Sequence, residues 1–233
     1  MLGPLARRIA NLAFGGRCFL CRGAAGGVLC AACDADLPRL GGPLCPRCAL
    51  AAPAGEVCGR CLARAPAYDA TVAALAYEFP ADVLLQALKF RGELALAPLF
   101  GALLAARLAR GARVDYVLPV PLAGARLRAR GFNQALEIAR HVALATGSRL
   151  EPRLAERGRD TASQTDLAHA ERARNVRGAF RCARALEGAE VALVDDVMTT
   201  GATLDELAAT LKRAGAARVV NWVVARTPAP ADA

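Results

Sequence analysis

Short apolar runs alternate with longer amphipathic runs from residue 67 onward. The runs of strand length are ATVAALAY (70–77), VDYVLPV (114–120), EVALVDD (190–196) and RVVNWVVA (218–225). The runs that favour a helix are ADVLLQALKF (81–90), residues 93–109, FNQALEIARHVALAT (132–146) and TLDELAATLKRAG (203–215). EVALVDD has almost no polar alternation, which predicts a strand buried on both faces, as in a parallel sheet. The alternation of strands and helices therefore predicts an α/β fold.

Two parts of the chain lack this alternation. Residues 151–184 are rich in arginine and polar residues, and we predict a long loop or flap with a strand around 178–182. Residues 1–66 contain eight of the nine cysteines. We therefore divide the chain into a small module at residues 1–66 and a main domain at residues 67–233.

The eight cysteines of the module form four C-x-x-C pairs, namely Cys18 and Cys21, Cys30 and Cys33, Cys45 and Cys48, and Cys58 and Cys61. Two such pairs supply the four thiolates of a tetrahedral zinc site. Disulfides need an oxidising compartment, and a redox C-x-x-C occurs once rather than four times in a short segment. We therefore predict two zinc ions, with sequential ligation favoured and interleaved ligation left open. We expect Cys182 to be a small apolar residue.

The chain is basic, and its hydrophobic content of 55% is enough for a core of ordinary size. The formal net charge is +9, which suggests a polyanionic or phosphorylated partner, although arginine enrichment throughout the chain also explains it. Eight thiolates and two zinc ions lower this charge to about +5. We recognise no secretory signal or membrane-spanning run. We expect a cytoplasmic protein whose association with the inner face of the membrane, if any, is made through partners.

The segment VALVDDVMTTGATL (191–204) places two acids at the end of a predicted strand. Ligands of parallel sheets bind beyond the carboxyl ends of the strands. A loop with a glycine and three threonines then leads into a predicted helix, whose first amides and partial positive charge favour a phosphate. The G-K-[ST] of a P-loop does not follow. We therefore predict a site for one monophosphate, beside a diol that donates hydrogen bonds to Asp195 and Asp196.

This segment resembles the phosphoribosyl pyrophosphate (PRPP) signature of type I phosphoribosyltransferases, which combines a hydrophobic strand, two acids and a T-G-x-T loop. The resemblance implies a parallel sheet flanked by helices, and PRPP bound together with Mg²⁺. It also implies that Asp195 and Asp196 hold the ribose hydroxyls. The residues it assigns to the 5′-phosphate are Val197, Met198, Thr199, Thr200, Gly201, Ala202 and Thr203.

Further motifs extend the resemblance over nearly the whole chain. They are the cysteine pairs, ALKFRG (87–92), LPVPLAGARLRARGFNQA (118–135) and DTASQTDLAHAERARNVRGAF (160–180). Together with the PRPP signature they resemble the ComF family of competence-associated proteins. The resemblance implies a double zinc ribbon followed by a phosphoribosyltransferase-like domain. It also implies a role in the uptake of transforming single-stranded DNA, beside a helicase.

The basic residues of these motifs are candidate contacts for pyrophosphate or DNA. Arg126 and Arg130 follow a predicted strand, where type I transferases place their pyrophosphate loop, and Lys89 and Arg91 are the next candidates. A solvated basic surface is the alternative interpretation for all four. Residues 157–177 fall where the family has a flexible hood, and they either close over the ligand, follow a DNA backbone or form a mobile polar loop.

Three functions are compatible with these residues. The first is a PRPP-binding, phosphoribosyltransferase-like protein that acts in single-stranded DNA uptake and natural transformation. The second is an active phosphoribosyltransferase that transfers ribose 5-phosphate from PRPP to an unidentified base or amine. The third is an assembly factor whose ribbon docks a helicase and whose PRPP pocket is regulatory. The sequence identifies neither an acceptor nor a catalytic residue, so it leaves enzymatic turnover open.

Overall fold

The computed structural model describes residues 16–109, 111–158 and 177–229. Within these ranges, no helix has both the length and the apolar composition that a membrane span requires. Most of the basic segment 157–177, for which closure over the ligand, a DNA contact and a mobile loop were left open, lies outside the described residues.

In the part of the chain that the structure describes, seven strands form two sheets. They are β1 (Ala70–Ala76), β2 (Tyr116–Pro119), β3 (Arg149–Leu150), β4 (Ala155–Arg157), β5 (Phe180–Cys182), β6 (Glu190–Met198) and β7 (Arg218–Arg226). The main sheet is parallel throughout, in the order β1-β7-β6-β2-β3, while β4 and β5 form an antiparallel pair. Residues 191–194 of the central strand β6 are fully buried, as the lack of alternation predicted. The predicted parallel α/β fold is therefore confirmed.

The described residues also contain seven α-helices. They are α1 (Ala31–Ala35), α2 (Gly59–Ala63), α3 (Ala81–Arg91), α4 (Ala97–Arg107), α5 (Gly124–Arg130), α6 (Gln134–Thr146) and α7 (Ala202–Arg213). The start of α6 is fixed by Asn133, whose side chain accepts a hydrogen bond from the amide of Ala135 at 2.9 Å. The same side chain donates to the carbonyl of Val120 at 3.1 Å, which ties the helix to the loop after β2.

Several predicted boundaries were wrong. The helix predicted over 93–109 is a 3₁₀ turn at Leu94–Leu96 followed by α4, because Pro98 fits the first turn of a helix but not its interior. The strand predicted over 190–196 continues to Met198, because β7 runs alongside it to the same point. Helix α5 and the short strands β3 and β4 were not predicted, since each is too short to show a period.

The cysteine-rich module packs directly on the main sheet. Residues 38–40 cover the free edge of β1, where the amide of Leu40 donates to Ala74 at 3.1 Å and the amide of Ala76 donates to Pro38 at 2.7 Å. Phe19 joins the hydrophobic cluster on one side of the sheet, and Cys48 joins the cluster on the other. The division at residue 66 stays a prediction about sequence organisation, since both parts contribute to the same core.

Candidate zinc centres and phosphoribosyl site

The eight paired cysteines form two separate clusters. One contains Cys18, Cys21, Cys30 and Cys33, and the other contains Cys45, Cys48, Cys58 and Cys61. Within each cluster all four sulfur atoms lie within 4.8 Å of one another. The pairs are therefore used sequentially, which is the arrangement that we favoured from the sequence.

Local turns bring the sulfurs together. Cys30 and Cys58 each lie immediately before a short helix, α1 and α2 respectively. Arg22 and Ala49, which follow the first and third C-x-x-C pairs, adopt positive φ angles of 64° and 57°. These left-handed residues turn the chain sharply after the first and third pairs, so that both thiols of each of these two pairs point to the same centre.

The cluster geometry fits tetrahedral zinc. A zinc–sulfur bond of about 2.3 Å gives a sulfur–sulfur edge of about 3.8 Å. The Sγ atoms of Cys21 and Cys30 are 3.7 Å apart, and those of Cys48 and Cys58 are 3.6 Å apart. Burial raises the pKa of the Cys45 thiol, but nearby backbone amides outweigh it and lower this pKa to about 6. Burial and neighbouring thiols instead raise the pKa values of Cys48 and Cys61 in the same cluster, so zinc must displace protons from these two thiols when it binds.

A second candidate site is an open cavity of about 940 Å³ at the carboxyl ends of the parallel strands. Both acids of the sequence motif, Asp195 and Asp196, line it, as do Thr199 and Thr203. The four basic candidates also line it, namely Lys89, Arg91, Arg126 and Arg130. The fold thus brings together residues that are more than a hundred positions apart in the chain.

The acid pair is held by its own strand and by one lysine. A side-chain oxygen of Asp195 accepts from the amide of Asp196 at 2.9 Å, and one of Asp196 accepts from the amide of Val197 at 2.8 Å. The Nζ atom of Lys89 lies 2.6 Å from Oδ2 of Asp196, and both side chains are largely buried. The cavity floor is therefore an ion pair beside a second carboxylate.

The electrostatics of this floor are unfavourable before a ligand arrives. Burial raises the pKa of Asp195 to about 6, against the opposing effect of the cations at Lys89, Arg157 and Arg130. Burial likewise lowers the pKa of Lys89 to about 8, although the charge of Asp195 opposes this change. Buried charges with displaced pKa values in a cleft are typical of functional sites.

The loop after the acids is shorter than we predicted. Val197 and Met198 belong to β6, and α7 begins at Ala202, so the turn consists of residues 199–201. Gly201 has a φ angle of 85°, and a Cβ atom there would lie 2.7 Å from Cε of Met198 and 3.0 Å from Oη of Tyr68. Only glycine fits this turn without displacing its neighbours.

The predicted phosphate residues do not all face the cavity. Thr199 and Thr203 line it, whereas Val197, Met198, Thr200, Gly201 and Ala202 are not among its lining residues. The hydroxyl of Thr200 instead accepts a hydrogen bond from the amide of Ala202 at 3.2 Å. The seven-residue phosphate assignment therefore stays a prediction, which rests on the position of the turn before α7.

The arginines of α5 form the opposite wall. Arg130 donates to Oε1 of the buried Gln134, and its guanidinium lies 5.6 Å from the ring centre of the exposed Phe90. Burial lowers the pKa of Arg130, and the neighbouring Arg126 lowers it further. Two adjacent cations in a partly buried wall favour an anion between them and the acids.

Several lining residues were missed as site residues. Phe90 and Gln134 lie within motifs that we quoted, but neither was assigned to the site. Arg157 also lines the cavity, although the sequence placed it only at the start of the basic segment. Arg226, at the end of β7, was also missed. A charged residue at the end of an apolar strand was an available signal for it.

The fold and the two kinds of site define a class of protein. It is an α/β protein with a parallel five-stranded sheet, in which an acid pair precedes the turn into a helix, joined to two four-cysteine clusters. Residues 9–62 match the family described as the double zinc ribbon domain. The predicted ribbon and its two zinc sites are therefore confirmed.

Curated relatives identify the family. DNA utilization protein YhgH of Salmonella typhimurium is 37% identical over 222 residues, which are 91% of this chain and 97% of that protein. Competence protein F of Haemophilus influenzae is 29% identical over 226 residues, covering 91% of this chain and 98% of that protein. This chain belongs to the family of YhgH and competence protein F, as the resemblance to ComF proteins predicted.

One solved structure adds a looser comparison. Glutamine phosphoribosylpyrophosphate amidotransferase from B. subtilis, complexed with ADP and GMP, is 26% identical over the matched part. The match covers 53% of this chain and 25% of that chain, with a TM-score of 0.38. Because this score is low, the site is interpreted from the geometry of this chain alone.

The zinc centres lead to a first prediction. The purified protein should contain two zinc ions per chain, and Cys58→Ser should reduce this to one, because each site has its own four cysteines. Metal content measured by mass spectrometry of the native protein checks the result. Cys182→Ser is the matched control and should leave both ions in place. A single zinc ion in the wild type would contradict the two-site arrangement.

The acid pair leads to a second prediction, on pH. The pKa of Asp195 is raised in the folded protein from an ordinary value of 3.8 to about 6, so its ionisation lowers the free energy of unfolding as pH rises through this range. Asp195→Asn removes that penalty. The variant should therefore melt higher than the wild type at pH 7, with the difference vanishing near pH 4. An equal difference at both pH values in thermal melts would contradict the account.

Proposed function

We propose that this protein binds PRPP in the cavity and acts in the use of incoming single-stranded DNA. The observation that carries the proposal is the acid pair at the end of β6, directly before the glycine turn that starts α7. A diol next to a monophosphate matches this order of groups, because carboxylates accept from hydroxyls and a helix start binds phosphate. The relatives named for DNA utilization and for competence support the second half of the proposal.

Each part of the cavity has a proposed role. Asp195 and Asp196 hold the ribose hydroxyls, and the segment 197–203 holds the 5′-phosphate. Arg126 and Arg130 face these groups across the cavity and bind the pyrophosphate, assisted by Arg91. Lys89, which is already paired with Asp196, holds that carboxylate in position.

Mg²⁺ belongs to the proposed ligand rather than to the resting protein. The ion prefers oxygen ligands and is usually bound through one or two carboxylates together with substrate phosphates. Asp195 and Asp196 offer such carboxylates beside the proposed pyrophosphate position. We therefore propose that PRPP and Mg²⁺ bind together.

The face of α3 at the cavity mouth suits single-stranded DNA. The first turn of α3 carries Asp82, whereas its last turn carries Lys89 and Arg91. Lys89 is turned into the cavity against Asp196, so the cations beside the ring of Phe90 are the exposed Arg91, its neighbour in the chain, and Arg130, which lies over the ring. Phe90 itself has 74% of its surface exposed. Cations that follow the phosphates and an aromatic ring that stacks on a base are the usual elements of single-strand binding.

The size of the cavity supports a second candidate function, an active phosphoribosyltransferase. Its volume of about 940 Å³ leaves room for an acceptor beside a phosphoribosyl group. In that reaction an acceptor nitrogen forms a bond to the anomeric carbon while the bond to the pyrophosphate oxygen breaks. Pyrophosphate leaves with the electron pair, and its charge is stabilised by the arginines of α5. No acceptor site is assigned.

The PRPP proposal predicts a calorimetric result. Zinc-loaded protein should bind PRPP in the presence of Mg²⁺, and the double variant Asp195→Asn, Asp196→Asn should lose this binding because neutral amides no longer accept as charged oxygens do. Glu190→Gln is the matched control, since it changes an acid at the opposite end of β6. It should bind PRPP as the wild type does.

Two outcomes decide this proposal. The proposal is wrong if folded wild type binds no PRPP, or if the double variant binds it equally well. Fluorescence of Trp222, the only tryptophan and a buried residue of β7, reports that each variant is folded. Release of pyrophosphate in the presence of a panel of bases and amines would favour the active transferase over a binding protein.

The DNA proposal predicts a separate effect of Phe90. Phe90→Leu should weaken binding of a single-stranded oligonucleotide by about tenfold, since stacking on one base contributes about 1–3 kcal/mol. Phe79→Leu is the control, because Phe79 is 77% exposed just before the other end of α3 and does not line the cavity. Fluorescence anisotropy at several salt concentrations measures both. Equal effects of the two variants would contradict a DNA site at the cavity mouth.

A further inference from the structure

A single buried arginine connects the second zinc site to the turn after the acid pair. Arg226, the last residue of β7, is only 2% exposed. Its Nε atom donates to the carbonyl of Cys48 at 2.8 Å, and its Nη1 atom donates to the carbonyl of Met198 at 2.8 Å. Nη1 also donates to the carbonyl of Thr199, the first residue of the turn. One guanidinium thus contacts both a zinc-ligating residue and the turn at residues 199–201.

The charge of Arg226 is satisfied in an unusual way. Among the described residues, no carboxylate forms an ion pair with it, and its hydrogen bonds go to backbone carbonyls. A buried guanidinium is costly, and a carboxylate is its usual compensation. Nearby polar groups are the thiol of Cys48 and the hydroxyl of Tyr68, while Arg60 adds a second positive charge. This arrangement fixes the position of four carbonyls, those of Cys48, Met198, Thr199 and Thr227.

The chain between the ribbon and the main sheet makes further contacts with the same turn. The amide of Ala67 donates to Oδ1 of Asp205, in the first turn of α7, at 2.6 Å. The buried ring of Tyr68 lies against Gly201, where an added Cβ would be 3.0 Å from its hydroxyl. Both ends of the turn are therefore held from the side of the second zinc site.

Among the described residues, no hydrogen bond of this kind joins the cysteines of the first zinc site to the turn. Phe19, within its first C-x-x-C pair, lies under the guanidinium of Arg91, 5.5 Å from the ring centre. That contact reaches α3 on the other wall of the cavity, and none of the hydrogen bonds described for Cys18, Cys21, Cys30 or Cys33 reaches residues 199–203. The two zinc sites of one ribbon thus have different neighbours in the phosphoribosyl cavity.

We infer that the second zinc site and Arg226 together set the conformation of the phosphate turn, residues 199–201. Arg226 is a positioning residue that acts through the carbonyls of Met198 and Thr199. Loss of zinc from the second site releases Cys48, and with it one of the anchors of the guanidinium. Phosphate affinity therefore depends on the second zinc site and not on the first. The part of this inference that concerns phosphate rests on the proposed function.

The test of Arg226 compares two arginines of the same strand. Arg226→Lys keeps the charge but removes the fork that spans four carbonyls, whereas Arg218→Lys changes an exposed residue at the other end of β7. Arg226→Lys should weaken binding of ribose 5-phosphate about tenfold, because a single ammonium group cannot hold the carbonyls of Met198 and Thr199 together with that of Cys48. Binding of magnesium pyrophosphate should be unchanged, since its proposed contacts lie on α5. Arg218→Lys should change neither.

The test of zinc compares the two sites. Cys58→Ser and Cys21→Ser should each remove one zinc ion, and only Cys58→Ser should weaken ribose 5-phosphate binding. Amide hydrogen exchange adds a readout that needs no ligand. Exchange at residues 199–203 should be faster in Arg226→Lys and in Cys58→Ser, with no change at residues 124–131. If Arg226→Lys does not fold, selective removal of the second zinc ion from wild type gives the same comparison.

The outcomes separate this inference from the proposed function. Unchanged exchange at residues 199–203 in both variants would overturn the link between the zinc site and the turn. Equal loss of ribose 5-phosphate binding in Cys58→Ser and Cys21→Ser would overturn its restriction to the second site. If the wild type binds neither PRPP nor ribose 5-phosphate, the proposed function fails, and the exchange measurements still decide whether Arg226 holds the turn.

Discussion

The burial of adjacent carboxylates at the end of β6 is the constraint on which the site depends. A carboxylate that leaves water loses solvation, and the raised pKa of Asp195 is the sign of that cost. The fold compensates in part, with Lys89 against Asp196 and two backbone amides bound to the acid oxygens. The part of this cost that the protein does not offset can be offset by a ligand that brings hydroxyl donors and a cation. A costly resting state of this kind is expected of a binding site rather than of a structural core.

The zinc ribbon solves a different physical problem. A segment as short as residues 16–66 cannot bury enough apolar surface to fold by itself, so metal–thiolate bonds replace a core of its own. Its remaining apolar side chains, such as Phe19 and Leu37, are buried against the main domain. The second zinc cluster thereby becomes part of the support for the phosphate turn, through Cys48 and Arg226. The second zinc cluster and the turn after the acid pair are consequently parts of one packed body.

The parts of this structure that the sequence predicts well are those with a strong local signal. The strands β6 and β7 are long apolar runs, and the cysteine pairs have a spacing that admits little besides zinc. Helix α5 has only seven residues, which is too short for a helical period to be recognised in the sequence. The ion pair of Lys89 with Asp196 and the contacts of Arg226 join residues far apart in the chain, and no local pattern encodes such partners.

The central claim is that the acid pair and the turn after it hold the ribose and 5′-phosphate of one ligand. A crystal structure of the zinc-loaded protein with PRPP and Mg²⁺ tests this most directly. The account predicts ribose hydroxyls on Asp195 and Asp196, and the 5′-phosphate on the amides of residues 199–203. Phosphate bound only at the arginines of α5, with both acids free of ligand, would contradict it.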